Sequence, residues 1–237
     1  SQEGQFRGFT DLSNSYHTYM TEQKIDVLAF GAHPDDIELG AGGTLAGLSR
    51  QGKSIGLVDL TAGEMGTRGT VEIRAEEAQK AATILGASFR LNLGWPDGFF
   101  EHNTIHLTQI ITLLRRYRPD LVILNAPNDR HPDHGRASKI VSDAVFYAGL
   151  RKFETEGLEA WRPRAQYHYV QFYSLEPSIL VDVSQDFATK IDSIRAHASQ
   201  FYDPNSKEPE TVIASKSFFD SIEGRALDLG KLIGVRY

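Results

Sequence analysis

The chain has 237 residues and a formal net charge of -6, with 41% hydrophobic and 24% charged residues, which suits one globular α/β domain and leaves no electrostatic footprint for nucleic acid. It has no cysteine, which excludes a disulfide framework, a thiolate zinc site and a cysteine nucleophile, and is compatible with the cytoplasm, the location expected here. No apolar run approaches the length of a membrane span and no signal-peptide core stands at the start, so no membrane partner is expected.

Residues 1–19 are polar, aromatic-dotted and aperiodic, and read as an N-terminal extension. The domain proper is expected over 20–237, with Met20 as its natural start. Ile25 to Gly31 is an apolar, partly β-branched run, the pattern of a strand buried on both faces. A loop, His33-Pro34-Asp35-Asp36, follows, then a helix from Gly42 to Gln51 stopped at Gly52. Ser54 to Leu60 is the second strand, Thr61 to Thr70 a Gly-rich loop, and Val71 to Leu85 a helix closed by Gly86. Phe89 to Leu93 is a short strand, and Gly94 to Gly98 a loop. Thr104 to Tyr117 is a helix ended before Pro119, and Leu121 to Asn125 a fourth strand. A helix from about Gly135 to Leu150 completes the alternation. Beyond a charged stretch to Arg164, strands are expected over Ala165 to Tyr173 and Ile179 to Val183, and helices over Phe187 to Phe201 and Ser217 to Leu232. Such βα alternation predicts a doubly wound, mostly parallel sheet with helices on both faces, in a single Rossmann-like domain. With strand order 3-2-1-4, the first and fourth strands are neighbours at the switch point, where ligands bind.

Those two strands end in matching chemistry. The first is followed by His33-Pro34-Asp35-Asp36, the fourth by Asp129-Arg130-His131-Pro132-Asp133-His134. Pro34 fixes its own φ and pushes His33 out of the helical region, so the first turn is stiff. His33 and Asp36 can converge on one point while Asp35 is aimed elsewhere. Together with His131 or His134 they make a three-ligand set with an open position, the pattern of a catalytic zinc. A lone loop histidine is more often a hydrogen-bonded residue than a ligand; two at matching strand ends shift that balance.

The motifs resemble those of the zinc-dependent N-acetylglucosamine deacetylases of the LmbE/PIG-L group, and most closely the bacillithiol-pathway N-acetylglucosaminyl-malate deacetylases. The resemblance is carried by Gly31 to Gly40, Asp59 to Glu64, Gly66 to Thr70 and Asp129 to Gly135, and fades after Phe201. It implies a hydrolase that removes acetyl from an N-acetylglucosamine conjugate, most closely N-acetylglucosaminyl-malate, with another N-acetylglucosamine derivative as the alternative. It also implies a homo-oligomer of three or six copies. The metal is assigned to His33, Asp36 and His134, one ion per chain, as zinc with iron(II) or cobalt as alternatives. Asp35 is the expected general base for the attacking water. His131 is the expected acid and oxyanion partner, with Asp133 as its orienting carboxylate. Arg68 and Arg130 are the expected clamps for substrate carboxylates. His17, His102, His106 and His168 are given no role, and His197 is left as one that could approach the site.

Three rival readings make distinct demands. A dinucleotide-binding module would use Gly40-x-Gly42 and Asp59, but the third glycine of its fingerprint falls on Leu45. A two-metal phosphoesterase needs more ligands than two loops supply. A metal-stabilised scaffold without turnover is the third.

Overall fold

Five short apolar runs build the sheet of this computed structural model, which describes residues 24–237. The extension expected over residues 1–19 and its boundary lie outside the described residues. The strands are β1 (Val27–Gly31), β2 (Ile55–Thr61), β3 (Phe89–Trp95), β4 (Leu121–Asn125) and β5 (Ala165–Tyr169). They lie in the order β3-β2-β1-β4-β5, and every pairing is parallel. Among the described residues there are six helices, α1 (Asp36–Arg50), α2 (Val71–Ile84), α3 (Thr104–Tyr117), α4 (Pro132–Ala148), α5 (Phe187–Arg195) and α6 (Lys216–Ile233).

Strand periodicity sorts the core into two layers. Leu28, Phe30, Val58, Leu60, Val122 and Leu124 pack with Ile110, Ile111 and Leu114 of α3 and Ile140 and Val141 of α4. Val27, Ala29, Ile55, Leu57 and Ile123 face the other way, onto Ile37, Ala41 and Leu45 of α1 and Ala82 of α2. All of β1 and β2 is buried, as a sheet covered on both faces requires. The chain winds outward from β1 to β3, then returns to β4 beside β1, so the switch point falls as expected.

The clearest departure is the first helix, which begins at Asp36 rather than Gly42. Its glycines are there for close packing, not for a loop. A Cβ at Gly40 would lie 2.0 Å from the Tyr169 ring, and one at Gly43 would lie 2.9 Å from Val183. This also removes the dinucleotide reading: Gly40 and Gly42 are mid-helix, and Asp59 is buried against Arg90 rather than open to a ribose. Ile179 to Val183 forms no strand; Ile179 and Val181 are exposed, and the Val183 N–H donates to the Tyr237 carbonyl. The helix α4 starts at Pro132, whose missing N–H costs nothing in the first turn. The helix α5 stops at Arg195, short of Phe201.

A buried ion triad ties three elements together behind the site. Arg90 of β3 makes a two-pronged contact with Asp59 of β2, at 2.7 and 2.8 Å, and also pairs with Glu38 of α1. All three side chains are almost fully buried. Arg90→Met leaves two buried carboxylates uncompensated and is expected to destabilise by about 3–5 kcal/mol in chemical denaturation. A change below about 1 kcal/mol would mean that the triad is neutralised in another way.

Candidate active site

The residues after β1 and β4 meet at the carboxyl edge of the sheet. Asn125, the last residue of β4, joins the two loops: its Oδ1 accepts from the Ala32 N–H at 3.0 Å, and its Nδ2 donates to Asp36 at 3.2 Å. In the first loop, the His33 N–H donates to Asp36 Oδ2 at 3.0 Å. Asp35 takes φ 120 and ψ -26, an unfavourable backbone for a residue with a Cβ. It makes no side-chain capping bond to α1, so helix capping does not account for it.

His33, Asp36 and His134 come together. Asp36 Oδ1 lies 3.2 Å from His134 Nε2, and Asp36 Oδ2 lies 3.5 Å from His33 Nδ1. All three are buried. Partners hold each ligand: Gln171 Nε2 donates to Asp36 Oδ1 at 2.6 Å, and His134 Nδ1 sits 2.7 Å from Asp129. Asp129 in turn accepts from the Phe172 and Tyr173 N–H groups. A carboxylate on one ring nitrogen leaves the other turned inward, the arrangement of metal-binding histidines. His131 adds a third imidazole, and one nitrogen from each of His33, His131 and His134 lies within 4.8 Å of the others.

The charge balance fits a cation. Burial opposes a proton on His33, but hydrogen bonds to Asp133, Asp36 and Asp97 outweigh it and raise its pKa well above the usual value. His134 is raised to about 9, with burial again overcome by Asp36 and Asp129. Burial pushes the Asp36 carboxyl up, yet His134 and His33 hold it well below the carboxylate range. The site thus concentrates negative charge where two imidazoles converge. Nitrogen and oxygen donors without sulfur suit zinc and its first-row neighbours.

Asp35 is 5% exposed, with its carboxylate 3.5 Å from Arg74 Nη2. Burial raises its carboxyl to about 6, against the pull of Arg74 and with help from Asp36. His131 caps α4: its Nδ1 accepts from the Asp133 N–H at 3.2 Å, which leaves Nε2 as the donor. Burial, with His33 and His134 beside it, lowers its pKa. Asp133 does not orient His131 through its carboxylate, as the sequence leads one to expect. The first turn of α4 aims that group at His33 Nε2, 3.3 Å away, and at the Gly98 N–H and Arg136.

The two arginines differ in setting. Arg68 is 4% exposed; its Nη2 donates to Ser206 and its Nε lies 3.9 Å from Glu208. Arg130 is exposed, with its guanidinium 4.9 Å above the Phe172 ring. The discounted histidines serve elsewhere: His102 pairs with Asp143, His106 stacks on Trp95, and His168 meets Ser138 and the Asn125 carbonyl. His197 is fully buried, 3.5 Å from Glu38, and His17 lies outside the described residues.

Several site residues have no counterpart in the sequence reading. Asp97, after β3, lies 3.0 Å from His33 Nε2 and accepts from the Met65 N–H. Burial works against its charge, but His33 holds its carboxyl down at about 2. The same strand-end rule applied to Trp95-Pro96-Asp97-Gly98 would have found it. Gln171 and Arg74 carry no such signal, because their roles depend on which segments pack beside them.

Fold and site together define a class: an LmbE-like α/β protein with a His–carboxylate centre at the switch point of its sheet. The chain belongs to the PIG-L family, whose model, described as GlcNAc-PI de-N-acetylase, matches residues 28–145 and so spans both loops. It is 32% identical over 222 residues to the diacetylchitobiose deacetylase of Thermococcus kodakarensis, covering 89% of this chain and 80% of that one. It is 29% identical over 188 residues to a Bacillus anthracis protein named "Probable N-acetyl-alpha-D-glucosaminyl L-malate deacetylase 2", covering 74% of this chain and 81% of that one. Among solved structures, a conserved protein from Thermus thermophilus, TT1542, superposes with a TM-score of 0.81 at 38% identity, over 90% of this chain and 91% of that one.

Proposed function

We propose that this protein is an N-deacetylase of N-acetylglucosamine conjugates, working through a divalent metal held by His33, Asp36 and His134. The observation that carries the reading is the convergence of those three side chains with a buried, uncapped carboxylate, Asp35, beside them. When bound, the metal supplies acidification of water and polarisation of the amide carbonyl. Zinc suits the donors, with iron(II) and cobalt as alternatives.

The chain's own residues supply the rest. Asp35 takes the proton of the attacking water. His131 donates from Nε2 to the oxyanion that develops on the carbonyl, charge absent from the ground-state amide. Asp133 holds His33 in register, and Asp97 shares that task. Asp35 then returns its proton to the leaving amine. Burial of the carboxylate keeps competing water away from that exchange.

For the conjugate we favour N-acetylglucosaminyl-malate. Two arginines stand in loops at the active edge, and Arg68 already neighbours a carboxylate, Glu208. The Bacillus anthracis relative points the same way, while the Thermococcus relative keeps a neutral disaccharide as the alternative. This reading carries with it a place in bacillithiol biosynthesis, a cytoplasmic location and a homo-oligomer, with neither nucleic acid nor membrane as partner. Among the described residues no helix is long and apolar enough to cross a membrane.

Acetate release from a panel of N-acetylglucosamine glycosides, with and without chelator, tests it. Shielded charge-assisted pairs contribute roughly 1.5–3 kcal/mol, so the malate glycoside is expected to exceed free N-acetylglucosamine by at least ~10-fold in kcat/KM. Arg68→Ala should erase most of that difference and spare the free sugar. Equal specificity in the wild type would dispose of the malate assignment; chelator-resistant turnover would dispose of the metal.

A further inference from the structure

The last helix reaches the catalytic edge through a segment that belongs to no strand or helix. Residues 171–173 follow β5, and among the described residues no backbone–backbone hydrogen bond holds them. All three nonetheless touch the candidate metal site. Gln171 Nε2 donates to Asp36 Oδ1 at 2.6 Å, and the Phe172 and Tyr173 N–H groups donate to Asp129 Oδ1 at 3.2 and 2.9 Å. Asp129 Oδ2 in turn meets His134 Nδ1 at 2.7 Å. What holds the segment comes from α6, whose start is set by Ser215 accepting from the Phe218 N–H. Phe218 and Arg225 lie two helical turns apart and so share one face. The Phe218 ring stacks on Phe172, at 5.8 Å between centroids. The Arg225 guanidinium donates through Nη1 to the Gln171 carbonyl and through Nη2 to the Phe172 carbonyl, the latter at 2.6 Å.

We propose that Arg225 is a positioning residue for the metal site, acting through residues 171–173 on the directions of Asp36 and His134. The carbonyls of 171 and 172 turn to α6 while the N–H groups of 172 and 173 turn to Asp129, so the segment is gripped from both sides. Burial opposes the charge on Arg225, and the two carbonyls satisfy its donors. A planar fork can serve two successive carbonyls at once; the compact ammonium of lysine at the same place cannot. Gln171 and Asp129 each orient one ligand, and losing one such partner costs about 10- to 100-fold in metal affinity. Arg225 stands one contact further out but governs both.

This inference rests on His33, Asp36 and His134 as the metal ligands, and the experiment separates the two. The readout is the zinc affinity of the full chain, measured by competition with a chromophoric chelator. A merely structural loss would lower the melting temperature of the metal-free chain and leave that affinity unchanged. Arg225→Ala is expected to weaken zinc binding by at least ~10-fold, with the metal-free chain still folded at the assay temperature. Arg225→Lys, which keeps the charge but not the fork, should recover only part of the loss. The decisive measurement is a double-mutant cycle with Gln171→Ala. Arg225 acts in part through Gln171, so Arg225→Ala should cost no more than about 3-fold in that background. Unchanged zinc affinity in Arg225→Ala, or the same fold-loss in both backgrounds, would overturn the positioning role. If Arg225→Ala does not fold, Arg225→Gln, which keeps a donor and most of the packing, carries the cycle. Zinc affinity left unchanged by Asp36→Ala would overturn the metal assignment instead, and this inference with it.

Discussion

His33→Ala, Asp36→Ala and His134→Ala are each expected to lose bound metal together with turnover, as elemental analysis and rate measurements on the purified variants would read. The three side chains are buried, and Asp36 lies between the two imidazoles, at 3.2 Å from His134 and 3.5 Å from His33. Removing any one leaves two donors, too few to hold a first-row ion against water. The expected loss exceeds the ~10- to 100-fold in affinity that follows from losing a supporting partner. The contrast with His131 makes the result decisive. His131 also offers a ring nitrogen to the cluster, yet it is half-buried and engaged as the cap of α4. His131→Ala should therefore keep its metal and lose activity. Metal lost from His131→Ala but retained by Asp36→Ala would put the ion among the three imidazoles.

Asp35→Asn is expected to keep its metal and its KM but to lose turnover by at least ~10²-fold, the scale of a positioned general base. The substitution is nearly isosteric and removes only the capacity to take a proton. Among the described residues its one ion-pair partner outside the cluster is Arg74, at 3.5 Å; it makes no cap bond, it is 5% exposed, and its backbone is strained. Steady-state rates beside metal content separate this from ligand loss. Near-normal turnover with full metal would leave Asp35 an orienting group, and the base would have to be sought among Asp97, Asp133 and His131.

The legible part of the site was the part written in single segments. His33 and Asp36 share one turn, and His131, Asp133 and His134 share another, so local spacing was enough to pair them. The strand order then placed both turns at one edge, because a doubly wound sheet has one switch point. Asp97, at the end of β3, follows the same logic. Local propensity places the start of α1 at Gly42, because glycine in a helix interior is locally unfavourable; the helix starts six residues earlier, and Tyr169 and Val183 leave its glycines no room for a Cβ. The strand expected at Ile179 to Val183 fails for the opposite reason: its residues are apolar, but the sheet ends at β5 and leaves the run no strand to pair with.

By itself the sequence determined the α/β alternation, the two His-Pro-Asp turns and the absence of any thiolate ligand. Each of these is a property of residue type and near-neighbour spacing, which a one-dimensional string carries in full. Tertiary structure alone decided the direction of each side chain within the site. It turned Asp133 toward His33 rather than His131, seated Gln171 on Asp36, and brought Arg74 from α2 onto Asp35. These contacts join residues separated by 39 to 135 positions in the chain. Their energies depend on burial and on angles between elements, quantities that exist only once helices and sheet have packed.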